Sequence, residues 1–155
     1  MTAIKLYRVA NKLYKKRIPL LPKIIYRLIY FINNCHIHYS TVIGEGTTIA
    51  YGGVGVVIHK EAIIGENCVI ESNVTIGGRN NNPNVPVIGD NVLIGTGARI
   101  LGDVHIGSGS IVGANAVVLH DVPEKCSVAG VPAKILNKNI NIQEKSNIKE
   151  IIDGD

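Results

Sequence analysis

The sequence predicts an all-β fold, a parallel β-helix solenoid with a short α-helical arm at its N-terminus. Three observations carry the prediction. Aliphatic residues return at every sixth position through the middle of the chain, glycine follows many of them, and the aromatic and basic residues are gathered ahead of the repeat. The chain has 155 residues, 46% of them hydrophobic, with no Trp, one Phe and one Met, so its apolar content is almost wholly Val, Ile, Leu and Ala. That length suits one domain with a core of its own. The composition argues against a core built on large aromatics, and a charged fraction of only 18% argues against disorder. No apolar run is long enough for a transmembrane helix.

In chain order the arm comes first, over residues 1–35. The first 34 residues hold eight of the 16 basic residues and no acidic one, for a charge of +8; the remaining 121 hold eight basic and twelve acidic residues, net −4. Five of the seven aromatics, Tyr7, Tyr14, Tyr26, Tyr30 and Phe31, lie in the same segment. The pattern predicts helices over Ile4–Tyr14 and Leu20–Ile32, parted by Pro19 and Pro22. In the second, Ile24, Leu28, Phe31 and Ile32 share one face with Lys23 and Arg27 off it. Such an arm is expected to cover the open end of a solenoid or to meet a neighbouring subunit, because a repeat needs its end covered. The other expectation is peripheral contact with an anionic membrane.

Lys23 and Arg27 interrupt the apolar run and no small-residue cleavage site follows, so the N-terminus does not read as a secretory signal. Cys35, Cys68 and Cys126 are odd in number and widely spaced, which fits a reducing compartment better than a disulfide framework or a zinc site. A cytoplasmic protein, peripheral to a membrane at most, is expected, with no metal. The sequence pI near 9 belongs to the arm rather than the body, and no nucleic-acid partner is expected.

The body, residues 36–136, carries the repeat. Aliphatics stand at Ile37, Ile43 and Ile49; at Ile58, Ile64, Ile70 and Ile76; and at Ile88, Ile94, Ile100, Ile106, Val112 and Val118. A period of six fits neither a 3.6-residue helix nor an alternating strand. It fits strand–turn units around a prism, three units to a coil, in which every sixth side chain points inward and each coil buries its face on the next. The residue four after the aliphatic is usually small or β-branched (Thr41, Thr47, Ala62, Cys68, Val74, Val92, Ala98, Val104, Ser110, Ala116), as close-packed corners require. Two places depart from the period. Three extra residues fall between Ile49 and Ile58, and the step from Ile76 to Ile88 is twelve, with a polar, proline-containing stretch near 78–86 that reads as an outward loop. Residues 137–155 are polar and mixed in charge, as a tail or short helix would be.

The repeat closing on Val128-Ala129-Gly130-Val131-Pro132-Ala133-Lys134-Ile135 resembles the hexapeptide-repeat acyltransferases, most of all the serine acetyltransferase branch. Val74-Thr75-Ile76-Gly77-Gly78, Ile94-Gly95-Thr96-Gly97-Ala98-Arg99-Ile100-Leu101-Gly102 and Val112-Gly113-Ala114-Asn115-Ala116-Val117-Val118 carry the same likeness, which spans about His36 to Ile135. The basic arm with a short body also resembles acyltransferase-like proteins of surface-polysaccharide synthesis. The resemblance implies a left-handed β-helix, a homotrimer, acetyl-CoA as donor and a hydroxyl or amine as acceptor. It places Thr96, Gly97 and Ala98 along the pantetheine, and Gly113, Ala114, Ala129, Gly130 and Pro132 toward the adenine. Lys134, with Lys138 behind it, would meet the phosphates.

Acetyl transfer needs a base for the acceptor proton and donors for the developing oxyanion, and histidine is the usual base. Among His36, His38, His59, His105 and His120, His59 is the first candidate: it follows Ile58 directly after the irregular Gly-rich segment, with Glu61 near enough to orient it. His36 and His38 open the first coil and come next. Where serine acetyltransferases carry an Asp near the first coil this chain has His36; their catalytic His falls on Tyr51, and a further His falls on Val85. Tyr51 would position an acceptor hydroxyl, a phenol being a poor base at neutral pH. Asn80, Asn81, Asn82 and Asn84 offer the donors and acceptors that a sugar suits. The expected activity is therefore O-acetyl transfer to a small polar acceptor, L-serine or a sugar of surface-polysaccharide synthesis. The rival is a non-catalytic trimeric scaffold or assembly module.

Overall fold

The computed structural model describes residues 2–79 and 83–140. Two helices open it, α1 (Ala3–Lys15) and α2 (Leu21–Asn33), within a residue or two of the spans expected. Short strands follow. The first coil holds β1 (His36–Ile37), β2 (Val42–Ile43) and β3 (Thr48–Ile49), and the second holds β4 (Val57–Ile58), β5 (Ile63–Ile64) and β6 (Val69–Ile70). The third holds β7 (Thr75–Gly77), β8 (Val87–Ile88) and β9 (Leu93–Ile94), and the fourth β10 (Arg99–Leu101), β11 (His105–Ile106) and β12 (Ile111–Val112). The chain closes with β13 (Val117–Val118), β14 (Ser127–Ala129) and β15 (Lys134–Asn137). Three sheets result: β1-β4-β7-β10-β13, β2-β5-β8-β11 and β3-β6-β9-β12-β14-β15. Every pairing is parallel except β14 with β15.

The sixfold period is the interior. All thirteen aliphatics of the repeat are at most 6% exposed, and the small residues at the corners are buried with them. Each buried Ile or Val side chain contributes roughly 1.5–3 kcal/mol, so the prism is held by three stacks of aliphatics, one behind each sheet.

The ladder runs both ways: Gly44 N–H donates to Ile64 O and Gly65 N–H to Ile88 O on the coil after, while Asn67 N–H donates to Glu45 O and Asn91 N–H to Glu66 O on the coil before. The first coil has no coil before it, so that edge is left with backbone groups, carbonyls among them, that must be covered. Helix α1 covers it. Ala3, Leu6, Tyr7 and Ala10 are buried against the coil. The Tyr7 hydroxyl donates to Thr41 O, and the Arg8 guanidinium donates to Ile43 O at 2.6 Å and to Gly44 O. Asn11 Nδ2 donates to Tyr39 O at 2.8 Å. Burial, opposed by the nearby Arg8 charge, pushes the Tyr7 phenol up to about 12.

The three inserted residues make room for this helix. Tyr51–Gly53 form a 3₁₀ turn. A Cβ on Gly53 would stand 3.0 Å from both the Ala3 Cβ and the Cys35 Sγ, at a φ of +93°. The step of twelve keeps register, since β8 pairs with β5 and β11 on either side of it. Asn80, Asn81 and Asn82 of that loop, and the tail beyond residue 140, lie outside the described residues.

Ile24, Leu28, Phe31 and Ile32 of α2, the residues expected to share a face, turn outward, 47%, 44%, 80% and 67% exposed, while Pro22 and Ile29 are buried and Ile25 packs on the core. This helix is apolar on more than one side, and 3.6-residue periodicity cannot choose which stripe turns inward. Among the described residues no helix is long and apolar enough to cross a membrane.

Candidate active site

The pairing of β1 with β4 sets His36 beside Val57 and Ile37 beside Ile58. His38 and His59 therefore follow at equivalent corners of successive coils. With His36 they line one cleft of about 290 Å³, shared with Val57, Ile58, Lys60, Ile76 and Gly77. His59, on the next coil, is thus brought beside His36 and His38. Among the described residues no set of histidine, cysteine and carboxylate side chains is arranged to hold a metal ion.

Each ring is fixed by a neighbour. His38 Nδ1 lies 2.6 Å from Ser40 Oγ and accepts the Ser40 N–H at 3.2 Å. His59 Nδ1 accepts the Glu61 N–H at 3.2 Å. Glu61 thus orients the ring through its backbone; its carboxylate turns to Lys60 Nζ, 3.7 Å away. With Nδ1 accepting, the neutral rings of His38 and His59 carry their proton on Nε2. Partial burial, then the charges of His36 and Lys60, hold His38 below the usual histidine pKa, so at neutral pH it is an uncharged N–H donor.

The arm enters the site through a residue that sequence reasoning missed. The Tyr26 hydroxyl is hydrogen-bonded to His36 Nε2, and the Tyr26 ring meets the rings of His36 and His38 edge-on, at centroid distances of 5.3 Å each. Burial, then neighbouring Tyr39, raises the Tyr26 pKa and keeps the phenol protonated. Tyr26 lies four residues after Pro22, on a stripe that only the packing of α2 shows to face inward. Tyr51 does not join the cluster: it is 66% exposed on the turn before β4 and does not line the cleft. His105 stands apart on β11, its Nδ1 3.8 Å from Asp121, and His120 is exposed just after β13, two coils beyond the last strand of the cleft.

The residues assigned to the donor stack at another corner. Ile94 pairs with Val112 and Val112 with Val128, so Gly95-Thr96, Gly113-Ala114 and Ala129-Gly130 follow one another on adjacent coils. Glu71, at the same corner one coil earlier, accepts from the Thr96 N–H at 2.9 Å and from the Thr96 hydroxyl. Gly97 has φ +74°, and a Cβ there would stand 2.1 Å from Asn115 Oδ1, so any other residue would be strained and would displace Asn115. Gly113 lies against Ala129, its absent Cβ 3.0 Å from the Ala129 Cβ. Gly130 and Pro132 bound the turn into β15, across a cis Val131–Pro132 bond, and Lys134 pairs with Ala129 on the exposed side. Ala98 is corrected: it is fully buried, its N–H donates to Gly95 O and its O accepts from Thr75. It fills the prism and has nothing left to offer a ligand.

Residues 86–120 match the bacterial transferase hexapeptide family of six repeats. A serine acetyltransferase of Synechococcus elongatus is 37% identical over 139 residues, 88% of this chain and 57% of that protein. The serine acetyltransferase of Helicobacter pylori is 36% identical over 139 residues, covering 88% of this chain and 81% of its own length. Among solved structures, a Brucella abortus serine acetyltransferase in complex with coenzyme A superposes with a TM-score of 0.82 at 34% identity, over 88% of this chain and 55% of that one. The chain spans 57–64% of the length of the first curated relatives it matches. Its three-sheet coil is a left-handed parallel β-helix. The repeat, the coil and the likeness to relatives together show that the chain belongs to the serine acetyltransferase family of hexapeptide-repeat proteins.

Proposed function

We propose that the protein is an acetyl-CoA-dependent O-acetyltransferase acting on a hydroxyl of a small polar acceptor. The observation that carries this is the convergence of His36, His38 and His59 in one cleft of a chain whose relatives are named serine acetyltransferases. The acceptor hydroxyl attacks the thioester carbonyl as His59 takes its proton. For that the His59 ring leaves the long contact to Glu61 and turns a lone pair to the acceptor. The Nε2–H of His38 holds the oxyanion, and collapse releases the coenzyme thiolate, which recovers the proton from His59. His36, tied to Tyr26, supports the acceptor side. Tyr51 is left to position the acceptor from outside the cleft.

Thr96, Gly97, Gly113, Ala114, Ala129, Gly130, Pro132 and Lys134 form the donor groove in this reading. The small residues let the pantetheine approach the backbone, and Lys134 meets phosphate. The acceptor is L-serine or a sugar of surface-polysaccharide synthesis. His36, Tyr51 and Val85, standing where the family carries Asp, His and His, favour the sugar. Residues 1–35 act as the arm and 36–136 as the catalytic body of a homotrimer in the cytoplasm. The outward residues of α2 beside Lys23 and Arg27 suit peripheral contact with an anionic membrane.

The test is acetyl transfer from acetyl-CoA to L-serine and to a panel of sugars, with His36→Ala, His38→Ala and His59→Ala beside the native protein. Loss of the base lowers the rate by about 10²–10⁴. A His59→Ala variant with full rate removes His59 as the base. Failure of the native protein both to bind coenzyme A and to acetylate any acceptor refutes the enzyme.

A further inference from the structure

A second cavity lies in the arm, between the end of α1 and the start of α2. It has about 560 Å³ and is lined by Tyr14, Lys15, Arg17, Ile18, Pro19, Pro22, Lys23 and Tyr39. Three of its residues are cationic and none is acidic. The ion pairs among the described residues are Lys60–Glu61 and His105–Asp121, so Lys15, Arg17 and Lys23 face the cavity with their charge uncompensated. Arg17 is held there by the interhelical turn at φ +59°. The cavity also borders the histidine cleft. Tyr39 lines it, meets the Tyr14 ring at a tilt with a centroid distance of 5.1 Å, and its ring centroid lies 3.9 Å from that of His38.

Converging cations without a carboxylate bind an anion, and aromatic walls suit a planar or sugar ring laid against them. We propose that this cavity holds the phosphate of a phosphorylated acceptor, with the attached sugar running past Tyr39 so that a hydroxyl reaches His38 and His59. The proposal rests on the acetyltransferase reading for the second half of that statement only; anion capture stands on the cavity itself. The phosphate belongs either to a soluble nucleotide-linked sugar or to a lipid-linked one, the recognised chemistry being the same.

Binding of inorganic pyrophosphate and of uridine diphosphate to the full chain is measured by calorimetry at low ionic strength, with the donor groove filled by coenzyme A. A cavity variant (Lys15→Gln, Arg17→Gln, Lys23→Gln) is compared with a control losing the same charge elsewhere (Lys5→Gln, Lys12→Gln, Lys125→Gln). Circular dichroism checks that both are folded. The expected result is a loss of affinity of at least about tenfold in the cavity variant and little change in the control. Equal losses in the two variants, no diphosphate binding by the native protein, or binding only to phosphatidylglycerol vesicles would each overturn the proposal, the last making the surface a membrane dock. Where diphosphate binds, vesicles that displace it identify the lipid-linked source, and vesicles that do not identify the soluble one. Coenzyme A binding is read in the same samples. Its absence sinks the acetyltransferase and leaves the anion site intact, whereas its retention with no diphosphate effect sinks the anion site alone.

Discussion

Gly53 decides whether the arm can reach the coil, and its neighbour Gly52 supplies the control. Both have positive φ, +67° for Gly52 and +93° for Gly53, so an alanine at either place costs about 1–2 kcal/mol in backbone strain. Their surroundings differ. A Cβ at Gly52 would find only Asn33 Nδ2, at 3.7 Å, an ordinary contact. At Gly53 it would stand 3.0 Å from the Ala3 Cβ and the Cys35 Sγ, both buried. Carbon atoms rest at about 3.5–4.0 Å, and overfilling a packed site of this kind costs about 1–3 kcal/mol more. Gly53→Ala should therefore destabilise the protein by about 2–5 kcal/mol, and Gly52→Ala by the strain alone.

The loss should be local, because a solenoid couples each unit only to its neighbours. Urea unfolding followed by tyrosine emission reports mostly on the arm, since four of the six tyrosines are there and the chain has no Trp; far-ultraviolet dichroism reports on the coil as well. In Gly53→Ala the tyrosine transition should move to lower urea than the dichroism transition, and Tyr26 should lose its hold on His36. Equal midpoints for Gly52→Ala and Gly53→Ala would refute the argument that this turn seats the helix.

Other outcomes follow from the same contacts. Arg8→Leu leaves Ile43 O and Gly44 O without their charged donor and should lower stability by about 1.5–3 kcal/mol in denaturant titrations. Ile76→Ala empties a fully buried interior position and should cost about 2–5 kcal/mol, read in the same titration. His38 is harder to protonate in the folded protein than in the unfolded chain. As pH falls below about 6.5 the unfolded chain takes the proton first, so this contribution to stability is full above that pH and is lost below it; His38→Gln should flatten the slope between pH 7.5 and 5.5. Cys35, whose thiol burial pushes up to about 12, should resist a thiol reagent in the native protein and react once it unfolds.

How far the sequence could be read depended on how much of each element repeats. A position that recurs thirteen times states its own role, and Ile58, Ile76 and Ile100 needed no structure to be placed inside. The corner residues were legible for the same reason, down to Cys68, which stands in the file of small interior residues. Ala98 shows the limit of borrowing a role: the repeat had already placed it inside, and the burial agrees with the repeat. The meeting of His36, His38 and His59 follows from an 18-residue coil with a three-residue insertion, but only once the insertion is known to bulge and leave the register intact. Helix α2 could not be oriented from its sequence. Ile24, Leu28 and Phe31 make as regular a stripe as Pro22, Ile25 and Ile29, and the choice between them is made by α1 and the first coil, long-range partners that periodicity does not contain.

The charge of the arm has a structural cause before it has a functional one. The first coil has no coil before it, so the entrance of the solenoid presents a rim that includes the carbonyls of Tyr39, Thr41, Ile43 and Gly44. Carbonyls accept and do not donate; a helix laid across them gains from hydroxyl, amide and guanidinium groups and loses from carboxylates. Tyr7, Arg8 and Asn11 are those donors, directed at Thr41, Ile43, Gly44 and Tyr39, and the arm's lack of any Asp or Glu fits a helix that must cover such a rim. The exit is closed by backbone instead, where Gly130 O accepts from Val117 N–H and β15 folds back along β14. The rim engages only one of the arm's eight basic side chains, Arg8. The seven others stand free of that duty, three of them in a single cavity beside the histidines, and it is there, not in the overall pI, that the basic character of this chain bears on what it binds.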